Sequence, residues 1–178
     1  MENKRVLILH GWGGSDFPHW QAWLATELIK QNDIVSFPSL PNKDFPDFRQ
    51  WIDFVEKEIK HFSPDIVVCH SLGSISWFHI LERLDVKPLK KLLLVAPVRK
   101  NCDIKEIKDF FPYTVPKNLK ANKALLIVST NDVYMNLHEA NELQHDLNIE
   151  MRILESAGHI NAHSGFGKFK EVLDWINE

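Results

Sequence analysis

The chain has 178 residues with a formal net charge of −3 at pH 7, and 44% of its residues are hydrophobic. This length predicts one domain with a substantial core, and the slightly acidic balance provides no basic surface for nucleic acid. Its apolar runs are far shorter than the ~20 residues that cross a bilayer, and two cysteines, Cys69 and Cys102, are too few for a disulfide framework. The amino terminus enters a predicted strand without the apolar core of a signal peptide. We therefore expect a soluble cytoplasmic protein that binds neither nucleic acid nor membranes.

Short apolar runs alternate with helical patterns along the chain, which predicts an α/β fold with a mainly parallel sheet and helices on both faces. Strands are predicted at residues 5–9, 34–37, 65–69, 90–95, 123–129 and 150–154. Apolar residues at helical spacing predict helices around residues 20–28, 48–59, 75–81, 137–147 and 166–176. No shift in composition marks a boundary, so we expect one domain over residues 1–178 with no separate cap domain.

The third predicted strand ends at a serine. Its apolar run reaches Cys69, then His70 and Ser71 follow, and Gly73 comes two residues after the serine. This pattern is typical of a nucleophile elbow, in which a buried strand turns sharply into a helix and presents a serine hydroxyl at the tip. Gly73 supplies the small residue that the turn needs, and Cys69 is an approximate fit as a small buried filler. Ser71 is therefore the candidate nucleophile, and the alternative is a serine that only caps the helix.

Two later strands end at residues that would complete the chemistry of such a serine. The strand at 123–129 is followed by Asp132, and the strand at 150–154 is followed by a small-residue turn and His159. A serine is a poor nucleophile until a neutral imidazole takes its proton, and a carboxylate must orient that imidazole. We therefore assign His159 as the general base and acid and Asp132 as the orienting acid. An Asx turn would also suit Asp132, and Glu155 is a rival acid in a poorer position.

The first predicted strand runs into a glycine-rich loop, Gly11-Trp12-Gly13-Gly14. Negative charge that develops on a substrate carbonyl oxygen needs two backbone N–H groups already directed at it. We expect these oxyanion-hole donors to be the amides of Trp12 and Leu72, with the glycines giving the loop backbone angles closed to other residues. The ring of Trp12 is expected to form one wall of the substrate pocket.

Histidines flank these segments. His10 is expected to order the glycine-rich loop by hydrogen bonding, and His70 to pack against the site or contact substrate, so both are assigned to the pocket together with Gly11. His163 follows His159 by four residues, a spacing that two metal ligands can share. No third ligand is placed beside them, so we expect neither a metal nor an organic cofactor.

The motifs HGWGG at residues 10–14, HSLGS at 70–74 and SAGH at 156–159 resemble those of the α/β-hydrolase superfamily. More narrowly, nearly the whole chain is similar to the small serine hydrolases that include retinoblastoma-binding protein nine and its bacterial relatives. The resemblance implies a single-domain α/β-hydrolase fold, and its triad falls on the serine, aspartate and histidine assigned above on chemical grounds. It also implies hydrolysis of carboxylic-ester-type bonds, and it identifies no natural substrate.

The predicted activity is therefore cleavage of small acyl esters through an acyl-Ser71 intermediate, with a small acyl compound as the binding partner. Peptidase or thioesterase activity would use the same residues. An alternative from another class is a catalytically silent binding or scaffold protein on a hydrolase fold.

Residues 97–122 are the least regular part of the chain, since prolines interrupt them and no helical spacing persists. They leave the carboxyl end of the strand at 90–95, the edge at which α/β active sites lie. We expect a loop with a turn or two of helix. Its aromatic residues Phe110, Phe111 and Tyr113 are assigned to the acyl pocket, and the alternative is that they fill the underside of the loop.

Overall fold

The computed structural model of the protein describes residues 3–178. Six strands follow one another along the chain: β1 (Arg5–Leu9), β2 (Ile34–Ser36), β3 (Ile66–His70), β4 (Leu89–Val95), β5 (Ala121–Ser129) and β6 (Glu150–Leu154). Five α-helices connect or follow them: α1 (Trp20–Lys30), α2 (Phe48–Phe62), α3 (Leu72–Arg83), α4 (Leu137–Leu147) and α5 (Lys170–Asn177). Short 3-10 turns occur at Lys108–Phe110 and Ala162–Ser164.

The strands form one parallel sheet in the order β2-β1-β3-β4-β5-β6. Successive side chains of a strand point to opposite faces, and both faces of this sheet are covered. Leu7 and Leu9 of β1 belong to the core cluster that includes α2, α3 and α4. Val6 and Ile8 belong to the cluster that includes α1 and α5. The strands therefore read as continuous apolar runs, and the predicted α/β architecture is confirmed.

The last helix begins later than the apolar spacing predicts. Phe166 and Phe169 precede α5, although both pack in its core cluster. A 3-10 turn ends at Gly165, which has a φ of 86°, and the amide of Phe166 then donates to the carbonyl of Asn161 at 3.0 Å. The spacing of these two phenylalanines thus reflects a loop packed on the sheet, and the predicted start at residue 166 is wrong.

Within residues 3–178, none of the helices combines the length and the apolar character that a membrane crossing requires.

The first turn of α3 approaches the end of β1 more closely than a side chain permits. A Cβ atom on Gly73 would lie 2.6 Å from the carbonyl oxygen of Leu9 and 2.7 Å from that of His10. Both obstacles are backbone atoms, so no side-chain rotation relieves the contact. Glycine at this position therefore determines how closely the helix after Ser71 sits on the sheet.

We predict that Gly73→Ala lowers the free energy of unfolding by about 1–3 kcal/mol, because the added methyl group forces the backbone of α3 away from β1. Ser74→Ala is the matched control on the same helix turn, since the buried Ser74 hydroxyl has no hydrogen-bond partner within residues 3–178. Urea denaturation measures both. A Gly73→Ala protein as stable as the control would show that α3 does not depend on this contact.

Candidate active site

Ser71 occupies a sharp turn between β3 and α3. Its backbone has φ 52° and ψ −123°, a conformation that residues with a Cβ atom rarely adopt. The Ser71 amide donates to the carbonyl of Val95 on the neighbouring strand at 2.9 Å, which fixes the turn to the sheet. The preceding Cys69 is fully buried, and burial raises the pKa of its thiol. Cys69 is thus an inert filler, and the Ser71 hydroxyl is the group that the turn presents.

Ser71, His159 and Asp132 form one hydrogen-bonded series. The Oγ atom of Ser71 lies 2.8 Å from Nε2 of His159, and Nδ1 of that ring lies 2.9 Å from Oδ2 and 3.0 Å from Oδ1 of Asp132. An ionised carboxylate only accepts hydrogen bonds, so Nδ1 carries the proton and Nε2 is left to accept from the serine. The three side chains follow β3, β5 and β6, whose carboxyl ends lie at one edge of the sheet.

Asp132 serves two hydrogen bonds at once. Its Oδ1 atom also accepts from the amide of Tyr134 at 2.9 Å, which is an Asx turn. The two alternatives for this aspartate are therefore compatible, since the turn aims the carboxylate at the histidine. The carboxylate of Glu155 instead accepts from the Thr130 hydroxyl at 3.2 Å.

The loop that carries His159 is attached to the end of β5 by side chains that the sequence patterns did not identify. The hydroxyl of Ser129 accepts from the amide of Ala157 at 2.9 Å. The side-chain oxygen of Asn131 accepts from the amide of Gly158 at 2.7 Å and from the Ser129 hydroxyl at 2.9 Å. The only sequence signal for this arrangement is the placement of polar residues directly before Asp132. These contacts hold the histidine loop above the strand that supplies the acid.

His70 attaches the same loop to the end of β3. Its Nε2 atom lies 3.0 Å from the carbonyl oxygen of His159, so that nitrogen carries the proton and donates. Burial, with smaller contributions from His159 and His19, holds the pKa of His70 well below its usual value. The imidazole therefore stays uncharged and connects the residue before Ser71 to the backbone of His159.

His10 anchors the start of the glycine-rich loop through Gly11. Nδ1 of His10 donates to the Gly11 carbonyl at 2.7 Å, and its Nε2 accepts from the amide of Leu40 at 2.8 Å. Both ring nitrogens are occupied, and neither His10 nor Gly11 lines the cavity beside Ser71. Their assignment to the substrate pocket is therefore corrected, whereas His10 does order the loop as expected.

The glycines of this loop serve different purposes. Gly13 and Gly14 have φ values of 83° and 86°, which favour glycine, but Gly11 has no positive φ. A Cβ atom on Gly11 would instead lie 2.7 Å from Cβ of Ser71. The expectation of unusual backbone angles is thus wrong for Gly11, which is required for its close approach to the serine.

The two backbone amides predicted to form the oxyanion hole are those of Trp12 in the glycine-rich loop and Leu72 at the start of α3. Within residues 3–178, the N–H groups of Trp12 and Leu72 donate to no protein atom. The Leu72 amide is at the first position of α3, where the helix dipole favours negative charge. The indole nitrogen of Trp12 donates to the Asp44 carbonyl at 2.9 Å, which holds the ring in place.

A cavity of about 310 Å³ opens beside the Ser71 hydroxyl. It is lined by residues 12–19 and 161–163, by His70 and His159, and by Val98, Ile107 and Tyr134. Trp12 and His70, both predicted pocket residues, are thus among those that line it. Val98 and Ile107, two of the lining residues, belong to the irregular segment after β4.

The three aromatic residues assigned to the acyl pocket lie elsewhere. Phe110 is fully buried and packs edge to face on Phe48 and Trp51, with ring centroids 5.3 and 5.5 Å apart. The Tyr113 hydroxyl donates to the carbonyl of Val98 at 3.1 Å, and Phe111 packs against the same core cluster. None of the three lines the Ser71 cavity, so this assignment is wrong. They fill the underside of the loop because a segment without regular structure must bury its own apolar side chains.

His163 lines the cavity but forms no metal pair with His159, whose ring nitrogens are both hydrogen-bonded. Among the residues that the structure describes, no group of three or more histidine, cysteine or acidic side chains is arranged to hold a metal ion.

His19 directly precedes α1 and lines the cavity. Its Nδ1 atom accepts from the amide of Gln21 at 3.1 Å, so the ring caps the helix. Burial, assisted by the neighbouring His159 and His10, lowers the pKa of His19 to about 4. No sequence motif identifies this residue, because a histidine before a helix carries no pattern of its own.

A strand–turn–helix serine, an acid after β5 and a histidine after β6 on a parallel sheet define an α/β-hydrolase. The serine hydrolase family matches residues 6–178, and the chain belongs to that family. It is 25% identical over 178 residues to YdeN of Bacillus subtilis (strain 168), covering 96% of this chain and 93% of that protein.

Solved structures agree on the fold. The crystal structure of the Bacillus subtilis ydeN product superposes with a TM-score of 0.88 at 22% identity, covering 98% of this chain and 97% of that one. A YdeN-like protein from Pectobacterium atrosepticum gives a TM-score of 0.78 at 22% identity, covering 98% and 89%. The protein is therefore a hydrolase of the serine hydrolase type on an α/β-hydrolase fold.

We predict that His19 makes the protein less stable in mild acid. The folded-state pKa of about 4 lies below the usual 6.5, so the unfolded chain binds more protons between these values. The free energy of unfolding falls as pH drops through this window, and this residue accounts for a loss of about 2 kcal/mol between pH 7.5 and pH 5. Urea denaturation at the two pH values measures the loss.

His19→Asn keeps a capping oxygen and removes the titrating ring, so the loss between the two pH values should shrink by that amount in the variant. The exposed His138→Asn is the control and should retain the wild-type pH dependence. An unchanged pH dependence in His19→Asn would contradict the prediction.

Proposed function

We propose that the protein hydrolyses small carboxylic esters, or related acyl bonds, through an acyl-serine intermediate on Ser71. The observation that carries this proposal is the unbroken series Ser71–His159–Asp132, with distances of 2.8 Å and 2.9 Å between successive partners. A cavity of about 310 Å³ beside the hydroxyl suits a small substrate, since it lies at the lower end of the range for ligand pockets.

In the first step, the Ser71 oxygen attacks the carbonyl carbon while Nε2 of His159 takes the hydroxyl proton. Asp132 accepts the hydrogen bond from Nδ1, keeps the ring in the tautomer that leaves Nε2 free, and stabilises the imidazolium. The tetrahedral intermediate carries a negative oxygen, to which the free amides of Trp12 and Leu72 donate. The imidazolium then protonates the leaving group, and acyl-Ser71 forms.

In the second step, His159 removes a proton from a water molecule that attacks the acyl carbon. The intermediate collapses, the proton returns to the Ser71 oxygen, and the carboxylic acid leaves. The same residues would process thioesters or amides, which differ in the leaving group that His159 must protonate. The alternative is a catalytically silent scaffold, and the next experiment distinguishes it from an active hydrolase.

We predict that Ser71 is labelled by a fluorophosphonate probe and that Ser71→Ala abolishes both the labelling and the hydrolysis of 4-nitrophenyl acetate. The expected loss in kcat is on the order of 10⁴-fold or more, since the serine and its base act as a unit. Mass spectrometry locates the label. Ser74→Ala is the matched control and should label like the wild type. Failure of the folded wild type to label would favour a binding protein.

We predict that Asp132→Asn lowers kcat by about 10³- to 10⁴-fold, because an amide can hold the histidine in the wrong tautomer. Asparagine retains an oxygen that accepts from the Tyr134 amide, so the Asx turn and the fold should survive. The rival acid gives the control, since Glu155→Gln should stay within about twofold of the wild type because its carboxylate contacts Thr130. Steady-state ester hydrolysis measures both variants, and the opposite ranking would reassign the acid.

A further inference from the structure

Within residues 3–178, two buried polar side chains of the cavity that contains Ser71 each leave one atom without a partner. Ser15 and His19 are only 4% and 5% exposed. Within residues 3–178, the Oγ atom of Ser15 and the Nε2 atom of His19 have no hydrogen-bond partner. Both residues line the cavity that contains the Ser71 hydroxyl. Buried polar atoms without partners destabilise a fold, and two of them belong to residues that line this one cavity.

The hydrogen-bonding role of His19 follows from its place at the start of α1. Because Nδ1 accepts from the Gln21 amide, the proton of the neutral ring lies on Nε2, which is therefore a donor. The pKa of about 4 means that the ring carries no charge at neutral pH. The ring centroid of His70 lies 4.9 Å from that of His19, and His70 already donates its own proton to the carbonyl of His159.

The charges around this pair favour a neutral ligand group. Lys43, a cation beside the loop, is held by the Gly13 carbonyl at 2.8 Å and by the Asp16 carboxylate at 3.7 Å. The carboxylate of Asp16, which lies on the same loop between Ser15 and His19, would repel an anion. A neutral oxygen with free lone pairs satisfies both the imidazole donor and the serine hydroxyl.

We propose that Ser15 and His19 form a polar subsite that binds a neutral oxygen of the substrate. The preferred substrates of Ser71 are then esters with an ether, hydroxyl or carbonyl oxygen near the scissile bond, rather than plain alkyl esters. This inference rests on the proposed esterase function and adds a substrate class to it.

Two pairs of esters test the subsite, each differing by one ether oxygen in place of a methylene. The acyl side is tested by 4-nitrophenyl methoxyacetate against 4-nitrophenyl butyrate. The alcohol side is tested by 2-methoxyethyl acetate against butyl acetate. Within each pair, the ratio of kcat/KM values is divided by the ratio of the alkaline hydrolysis rates, which removes the intrinsic reactivity of the ether ester.

The wild type should prefer the ether ester by at least about tenfold in one of the two pairs, since a site built to hydrogen-bond a substrate oxygen rejects the analogue that lacks it. His19→Asn retains a capping oxygen but is too short to present a donor at the Nε2 position, so it should bring the ratio towards one. Ser15→Ala should reduce the ratio in the same pair. His138→Asn and Ser74→Ala should keep the wild-type ratio.

No preference in either pair would overturn the subsite. The subsite would also be overturned if His19→Asn lowered kcat/KM equally for both esters of a pair, because an equal loss would indicate a structural or water-holding role. If the wild type hydrolyses none of the four esters and takes no fluorophosphonate label, the proposed function itself fails, and the subsite fails with it.

Discussion

Ser71 lies in a backbone conformation that an isolated serine avoids, and close packing on both sides of the turn keeps it there. Gly73 lets α3 approach the end of β1, and Gly11 lets the glycine-rich loop approach the serine side chain. The amide of Ser71 is bonded to β4 at the same time. Strain of about 1–3 kcal/mol at such a residue persists only when its surroundings determine it fully. The candidate nucleophile is therefore held by the sheet itself rather than by a loop that can relax.

The second constraint is distance across the sheet. His159 follows β6, and two strands, β4 and β5, lie between that strand and β3, which carries Ser71. The histidine loop must cross their ends, and it is attached at both sides. Ser129 and Asn131 hold it at β5, and His70 holds it at β3. The hydrogen bond between Ser71 and His159 thus joins two residues that are each anchored at the end of a strand.

Buried, uncharged histidines give this region fixed hydrogen-bond directions. Burial lowers the pKa of His10, His19 and His70, so each ring has one donor and one acceptor nitrogen at neutral pH. Hydrogen bonds to the backbone assign the two roles in each ring. His10 orients the glycine-rich loop and His70 orients the histidine loop, whereas Nε2 of His19 has no hydrogen-bond partner within residues 3–178.

Strand runs and the chain order of Ser71, Asp132 and His159 were predictable, because a parallel sheet buried on both faces requires apolar runs and brings their carboxyl ends to one edge. The aromatic residues after β4 were not predictable in the same way. As residue types, aromatic side chains suit a substrate pocket and the core beneath a loop equally well. Only the tertiary contacts with α2 and Val98 show where Phe110, Phe111 and Tyr113 lie.

The sequence by itself therefore determined the sheet, the elbow and the three residues of the hydrogen-bonded series. Each of these depends on local patterning or on the order of strands along the chain. The tertiary structure alone decided which side chains line the cavity, how Ser129, Asn131 and His70 hold His159, and that His19 lies beside Ser71. These features depend on contacts between residues far apart in sequence, and no spacing rule encodes such contacts.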